Sequence, residues 1–181
     1  MPRRRAAKVM PVVQGDTTIT VLSLDVSSTH IGIAIMDGRN VREVFTYTLR
    51  GDLYHRIEQC AAWVHVLPVL SVDALAIEGA SYGARPLAMI AQQRVAGIIL
   101  GHWFTQRSQA ELPWTLIEIP PTVAKSALTG NAKADKAQMI ACAQYLTAAA
   151  IDEHGADAIA VGMAAIVKLE QARMVAAYGT A

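Results

Sequence analysis

The stretch VLSLDVSSTHIGIAIMDGRN, residues 21–40, carries an acid inside what reads as paired strands. Val21, Leu22 and Leu24 are strand formers, Asp25 ends the apolar run, and small hydroxyl residues follow. HIGIAIMDGRN continues as a hairpin partner and turns again at Asp37-Gly38, a dipeptide suited to tight turns. Asp25 is therefore expected inside a sheet. An unpaired carboxylate there is costly, so it needs hydrogen bonds, a cation or a metal.

Working outward, strands are expected over 18–25, 31–37 and 41–49, the third, VREVFTYTL, alternating moderately well. Helical spacing predicts a helix over 52–69. A short strand over 73–78, DALAIE, again ends in an acid. A long helix over 86–106 follows, then the strand WTLIEIPP at 114–121, stopped by two prolines. Helices are expected over 121–129, 134–148 and 152–177, with a Gly130-Asn131 loop after the first of them. A meander followed by strand–helix alternation implies an α/β fold with a mixed five-stranded sheet flanked by helices. That is the element order of the ribonuclease H fold. Residues 17–178 are expected to form this single domain, and residues 1–16 a flexible basic arm.

The 181 residues suffice for one domain with a real core, and 53% apolar against 17% charged residues excludes a disordered chain. A net charge of +1 means that any nucleic-acid binding must come from local patches, such as PRRRAAK at the start and KADK at 133–136. Cys60 and Cys142 lie in alanine-rich helical contexts and read as reduced thiols, neither a disulfide framework nor a zinc site. The most apolar stretch, residues 86–104, is interrupted by Gln92, Gln93 and Arg94, which argues against a membrane span. With no apolar leader, a cytoplasmic protein is expected.

Two strands end at an acid, Asp25 and Glu78, and would converge if both lie near the sheet centre. His154 and Asp157 share a helix face, and Gly155, Ala156, Ala158 and Ala160 beside them would let that helix approach the sheet closely. Such a set suits hard divalent cations, Mg2+ or Mn2+. Two ions roughly 3.5–4 Å apart activate water and stabilise the leaving oxygen in phosphodiester cleavage. Asp25 is the best candidate to bridge them, with Glu78 and Asp157 binding one ion each. His154 either binds metal through a neutral ring nitrogen or positions water. If it binds metal, activity should fall as it protonates below roughly pH 6.5. Taken singly, each acid is equally a turn residue or a helix cap, and Asp152 is itself a plausible N-cap.

Four segments together resemble RuvC-type Holliday junction resolvases, bacterial or phage. LSLDVSSTHIGIAI resembles the first acidic strand, and AIEGASYGARPLAMIAQQRVAGII the second acid with its loop and helix, including an R-x-x-G segment from Arg94 to Gly97. VAKSALTGNAKADKAQM resembles the basic segment, Lys125 and Lys136 matching its lysines, and HGADAIAVGMAA the last motif, in its histidine variety. The likeness runs from about residue 20 to residue 170. Val26-Ser27-Ser28 departs from the Asp-x-Gly pattern usual after the first acid.

The resemblance implies a crossover junction endodeoxyribonuclease that makes paired symmetric nicks by two-metal hydrolysis, leaving 5′-phosphate and 3′-hydroxyl ends. Asp25, Glu78, His154 and Asp157 would hold two Mg2+ or Mn2+ ions, with Lys125 and Lys136 at the scissile phosphate. Lys133 is a further phosphate contact or simply a solvated helix start. Tyr82 matches the side chain that family members insert at the junction centre, or packs on the domain surface. Arg85 and Arg94 would line the same groove, and Arg3, Arg4 and Arg5 would add sequence-independent affinity. Branched DNA is the expected partner; a branch-migration helicase partner is not indicated either way. Two nicks need two sites, which a homodimer supplies, and the apolar helix at 86–104 offers a face for it. The rivals are a broader branched- or flap-DNA or RNA nuclease of this fold, and an inactive junction-binding protein. A kinase of the actin-like type would need about twice this length.

Overall fold

The computed structural model describes residues 18–79 and 86–178. Strands β1 (Thr20–Val26), β2 (His30–Asp37) and β3 (Asn40–Thr48) form the meander. Helix α1 (Leu53–Trp63), strand β4 (Ala74–Glu78), helix α2 (Pro86–Gln109) and strand β5 (Thr115–Ile119) follow. Helices α3 (Pro121–Thr129), α4 (Lys136–Thr147) and α5 (Glu153–Tyr178) complete the order. The five strands form one mixed sheet in the order β3-β2-β1-β4-β5, with β1, β4 and β5 parallel and β2 antiparallel to both its neighbours.

The period of two along each strand sorts side chains onto two cores. Leu22, Leu24, Val26, Ile31, Ile33, Ile35, Leu75 and Ile77 face the layer of α1 and α2. Val21, Ala34, Met36, Ala74 and Ala76 face α5. The first face carries large aliphatic groups and the second mainly small ones. The small set suits a helix lying close to the sheet, and α5 answers with Gly155, Ala156, Ala158, Gly162 and Ala165, all buried.

The ends of the helices follow local chemistry. Asp52 caps α1 by accepting from the backbone N–H of His55. Pro121 opens α3, and Gly130 closes it in the left-handed conformation, φ 74°. Asp135 and Gln138 form a reciprocal capping box on α4. One expectation is corrected: the helix predicted over 52–69 ends at Trp63. A 3-10 turn spans Val64–Val66, and Leu67 is extended because it precedes Pro68. Both cysteines are free, Cys60 buried and Cys142 half-buried. Among the described residues, no helix is long and apolar enough to cross a membrane.

Candidate active site

Asp25 is the penultimate residue of β1, 8% exposed, and pairs with Gly32 of β2. Glu78 ends β4, one step past the parallel pair Leu24–Ile77. Strand alternation puts both acids on the face that carries Ala76 and Ala34, the face covered by α5. The first turn of α5 brings His154 and Asp157 to the same place. That turn is capped by Asp152, whose Oδ1 accepts from the Gly155 N–H at 2.7 Å and from Thr46 Oγ1 at 2.8 Å. Gly32 sets the approach: a Cβ there would collide with the His154 backbone carbonyl. Farther along, a Cβ at Gly162 would collide with the Met36 side chain and reach Ser23 Oγ at 2.6 Å. Four of the expected residues, far apart in sequence, are thus brought together by a parallel strand pair and one closely seated helix.

The imidazole of His154 lies against Asp25, Nδ1 to Oδ2 at 2.9 Å. That bond raises the His154 pKa above its ordinary value, against the opposing effect of burial, with help from the nearby charges of Asp25, Glu153 and Asp152. The two remaining acids are also raised, above the ordinary carboxylate range. Burial, followed by repulsion from Asp25 and Asp157, moves Glu78 up to about 7. Burial and repulsion from Asp25 move Asp157 up to about 6, partly offset by His154 and Lys125. Burial is the larger cause of both shifts, and repulsion between the acids adds to it.

Among the described residues, no group of three or more His, Cys, Asp and Glu side chains is gathered as a metal-holding set. The donor chemistry nevertheless fits a hard divalent ion. Three partly or fully buried carboxylates repel one another, and Mg2+ keeps several waters, taking one or two carboxylates together with substrate phosphates.

The basic residues divide. Lys125 is half-buried; its Nζ donates to the Ala134 carbonyl at 3.0 Å, while its charge pulls down both Glu78 and Asp157. Lys136 is exposed and pairs with Glu153 at 2.6 Å, beside His154. Lys133 and Arg94 are exposed, Arg94 on α2. Tyr82, Arg85, Arg3, Arg4 and Arg5 lie outside the described residues. Sequence reasoning missed His30, whose ring stacks on that of His154 with centroids 4.5 Å apart and planes at 14°. It also missed Arg56, whose Nη1 donates to the Ser28 carbonyl in the turn after Asp25. A histidine at a strand start and an arginine on a helix carry no local signal for either contact.

No family model and no curated protein matches this chain. Solved structures do. A Thermus thermophilus RuvC structure aligns with a TM-score of 0.61 at 21% identity, covering 84% of this chain and 97% of that one. T. thermophilus RuvC in complex with Holliday junction substrate aligns at 0.64 and 20% identity, covering 84% and 96%. The yeast mitochondrial Holliday junction resolvase aligns at 0.61 and 10% identity, covering 89% and 82%. These likenesses show a RuvC-type resolvase fold: a ribonuclease H-like mixed sheet flanked by helices.

Proposed function

We propose that this chain is a divalent-metal-dependent endonuclease that resolves four-way DNA junctions by paired symmetric nicks. The observation that carries the reading is the convergence of Asp25, Glu78 and Asp157 at one end of the sheet, where burial and then the charge of Asp25 raise the proton affinity of Glu78 and Asp157. Binding alone would gain nothing from carboxylates set beside phosphates, whereas hydrolysis of a phosphodiester does. The fold is shared with a resolvase solved on a Holliday junction, which supports branched DNA as the substrate.

In this reading Asp25, Glu78 and Asp157 would hold the metal ions. A bound pair of Mg2+ or Mn2+ ions supplies an activated water and charge stabilisation at the leaving oxygen. The chain's residues do the rest. Glu78 and Asp157 hold their protons to higher pH than ordinary carboxylates, so bound cations would compete with protons for them. Asp25 only accepts when ionised, so His154 carries its proton on Nδ1 and leaves Nε2 free for a cation or a water. Glu153 Oε1 lies 3.7 Å from that Nε2, outside hydrogen-bond range. Lys136, now held by Glu153, and Lys125 supply positive charge for the phosphates flanking the cut. A homodimer would present two such sites to a two-fold substrate.

The test compares a labelled four-way junction with matched duplex and flap DNA in Mg2+ or Mn2+, using wild type and Asp25→Asn. Paired nicks in the junction alone, with Asp25→Asn binding but not cutting, are expected. Equal cutting of flaps would make the protein a broader branch nuclease. Binding without cutting would leave the carboxylates structural.

A further inference from the structure

We propose that His30 is a positioning residue that fixes the orientation of the His154 imidazole. The inference rests on the nuclease reading for its consequence, but its geometry stands without it. The two rings are stacked nearly parallel, 4.5 Å between centroids and 14° between planes. Aromatic pairs in such offset geometry attract beyond the area they bury. His154 has one strong in-plane partner, the Asp25 carboxylate on Nδ1. A single hydrogen bond leaves a ring free to tilt about it, and the broad, two-fold torsion of an imidazole offers little resistance. The His30 ring blocks that tilt from one side. Gly32, two residues on and on the same strand face, leaves the space that the His154 backbone carbonyl occupies. With ring plane and Nδ1 both set, the direction of Nε2 is set too.

The platform is itself built rigidly. The Ser27 hydroxyl accepts from the His30 N–H at 2.8 Å and donates to the His30 carbonyl at 2.9 Å, and the Ser27 N–H donates to the same carbonyl at 2.8 Å. Thr29 Oγ1 bonds His30 Nδ1 at 3.0 Å, which tethers the outer ring as well. Ser27 and Thr29 are thus the residues that hold His30 against His154.

The experiment uses the full chain with His30→Leu, which keeps apolar volume but removes the ring, and His30→Phe, which keeps a stacking ring without nitrogen. Thr29→Val, which removes only the tether, guards against a fold-level loss in the first variant. In imidazole 15N NMR of the DNA-free protein, the His154 Nδ1 and Nε2 signals should shift in His30→Leu by more than loss of the neighbouring ring current alone produces, and hold near the wild-type position in His30→Phe. Thr29→Val should give a smaller shift of the same sign. In junction cleavage, kcat should fall about tenfold in His30→Leu with KM unchanged, and return to within about twofold in His30→Phe. Unchanged His154 signals in His30→Leu would overturn the proposal. So would full activity in His30→Leu, or an inactive His30→Phe, which would make the His30 nitrogens rather than its ring the needed feature. If wild type cuts no junction while the NMR response separates Leu from Phe, the positioning stands and the nuclease reading falls.

Discussion

Gly32 decides how closely the first turn of α5 meets the sheet, because the position of a Cβ is taken by the carbonyl of His154. Backbone meets backbone there, so neither side yields cheaply. Gly32→Ala should cost about 2–3 kcal/mol in urea unfolding and displace His154 from Asp25. Gly162→Ala meets side chains of Met36 and Ser23, which can rotate, and should cost about 1 kcal/mol. Equal midpoints for the two variants would refute this ordering.

The carboxylates make a second prediction. Glu78 and Asp157 bind protons more tightly in the fold, up to about 7 and about 6, than their ordinary values of 4.5 and 3.8. Their protonated forms therefore stabilise the fold at acid pH, and that contribution is lost as pH rises through those raised values. His154, also raised, adds a term of the same sign, present below its ordinary value and lost as pH passes the raised one. Asp37, Asp52 and Glu153, whose pKa values are lowered, act in the opposite sense but only at more acid pH. Thermal unfolding should drop by roughly 5 °C between pH 5 and pH 8 without divalent ions. Mg2+ should restore most of the loss at pH 8 and little at pH 5, because protons then hold the sites. A Tm independent of both pH and Mg2+ would remove the charge repulsion from the account. Raised His154 also moves its expected effect on activity upward from the ordinary imidazole range.

Among the elements, α2 departs most from what its sequence suggests. It reads as apolar nearly all round, yet it buries a stripe at four-residue steps: Ala91, Val95, Ile99, Trp103 and Arg107. Arg107 would pass for a solvated cation at a helix end. Instead it is 4% exposed, donates to the carbonyls of Val69 at 3.1 Å, Val72 at 2.6 Å and Pro113, and lies over the Trp103 ring. It ties the end of α2 to the loop before β4, and so to the strand that carries Glu78. Arg107→Met should cost about 3 kcal/mol, since it leaves three carbonyls without this donor. Arg107→Lys should recover only part, because an ammonium cannot span the fork. Full recovery by lysine in denaturant titration would count against that geometry. Helix α1 teaches a smaller lesson: its apolar periodicity continues past Trp63, but Pro68 and the 3-10 turn end the helix.

For the whole molecule, the outward side of α2 leaves Leu87 81% and Ile90 42% exposed within one chain. If the protein works as a pair on a two-fold junction, that side is the natural contact. Sedimentation at micromolar concentration should then give twice the 19.4 kDa chain mass. Leu87→Asp with Ile90→Asp should give a monomer whose nicks are no longer paired. A wild-type monomer would sink the dimer.

Much of this was legible in the sequence, because the relevant physics is local. Alternation in VLSLDV and ALAIE wrote the strands and the side each acid faces, and Pro121, Gly130 and Asp135 wrote the helix ends. The three-residue step from His154 to Asp157 put both on one face of a helix. What only the tertiary structure decided lies between residues far apart. The Asp25–His154 bond spans 129 positions, and the stack of His30 on His154 depends on how deeply α5 sinks at Gly32. The burial of Arg107 depends on where three loop carbonyls come to rest. A period in the chain determines which way a side chain points. What it meets, and therefore what proton or charge it holds, is determined by the distance between packed elements.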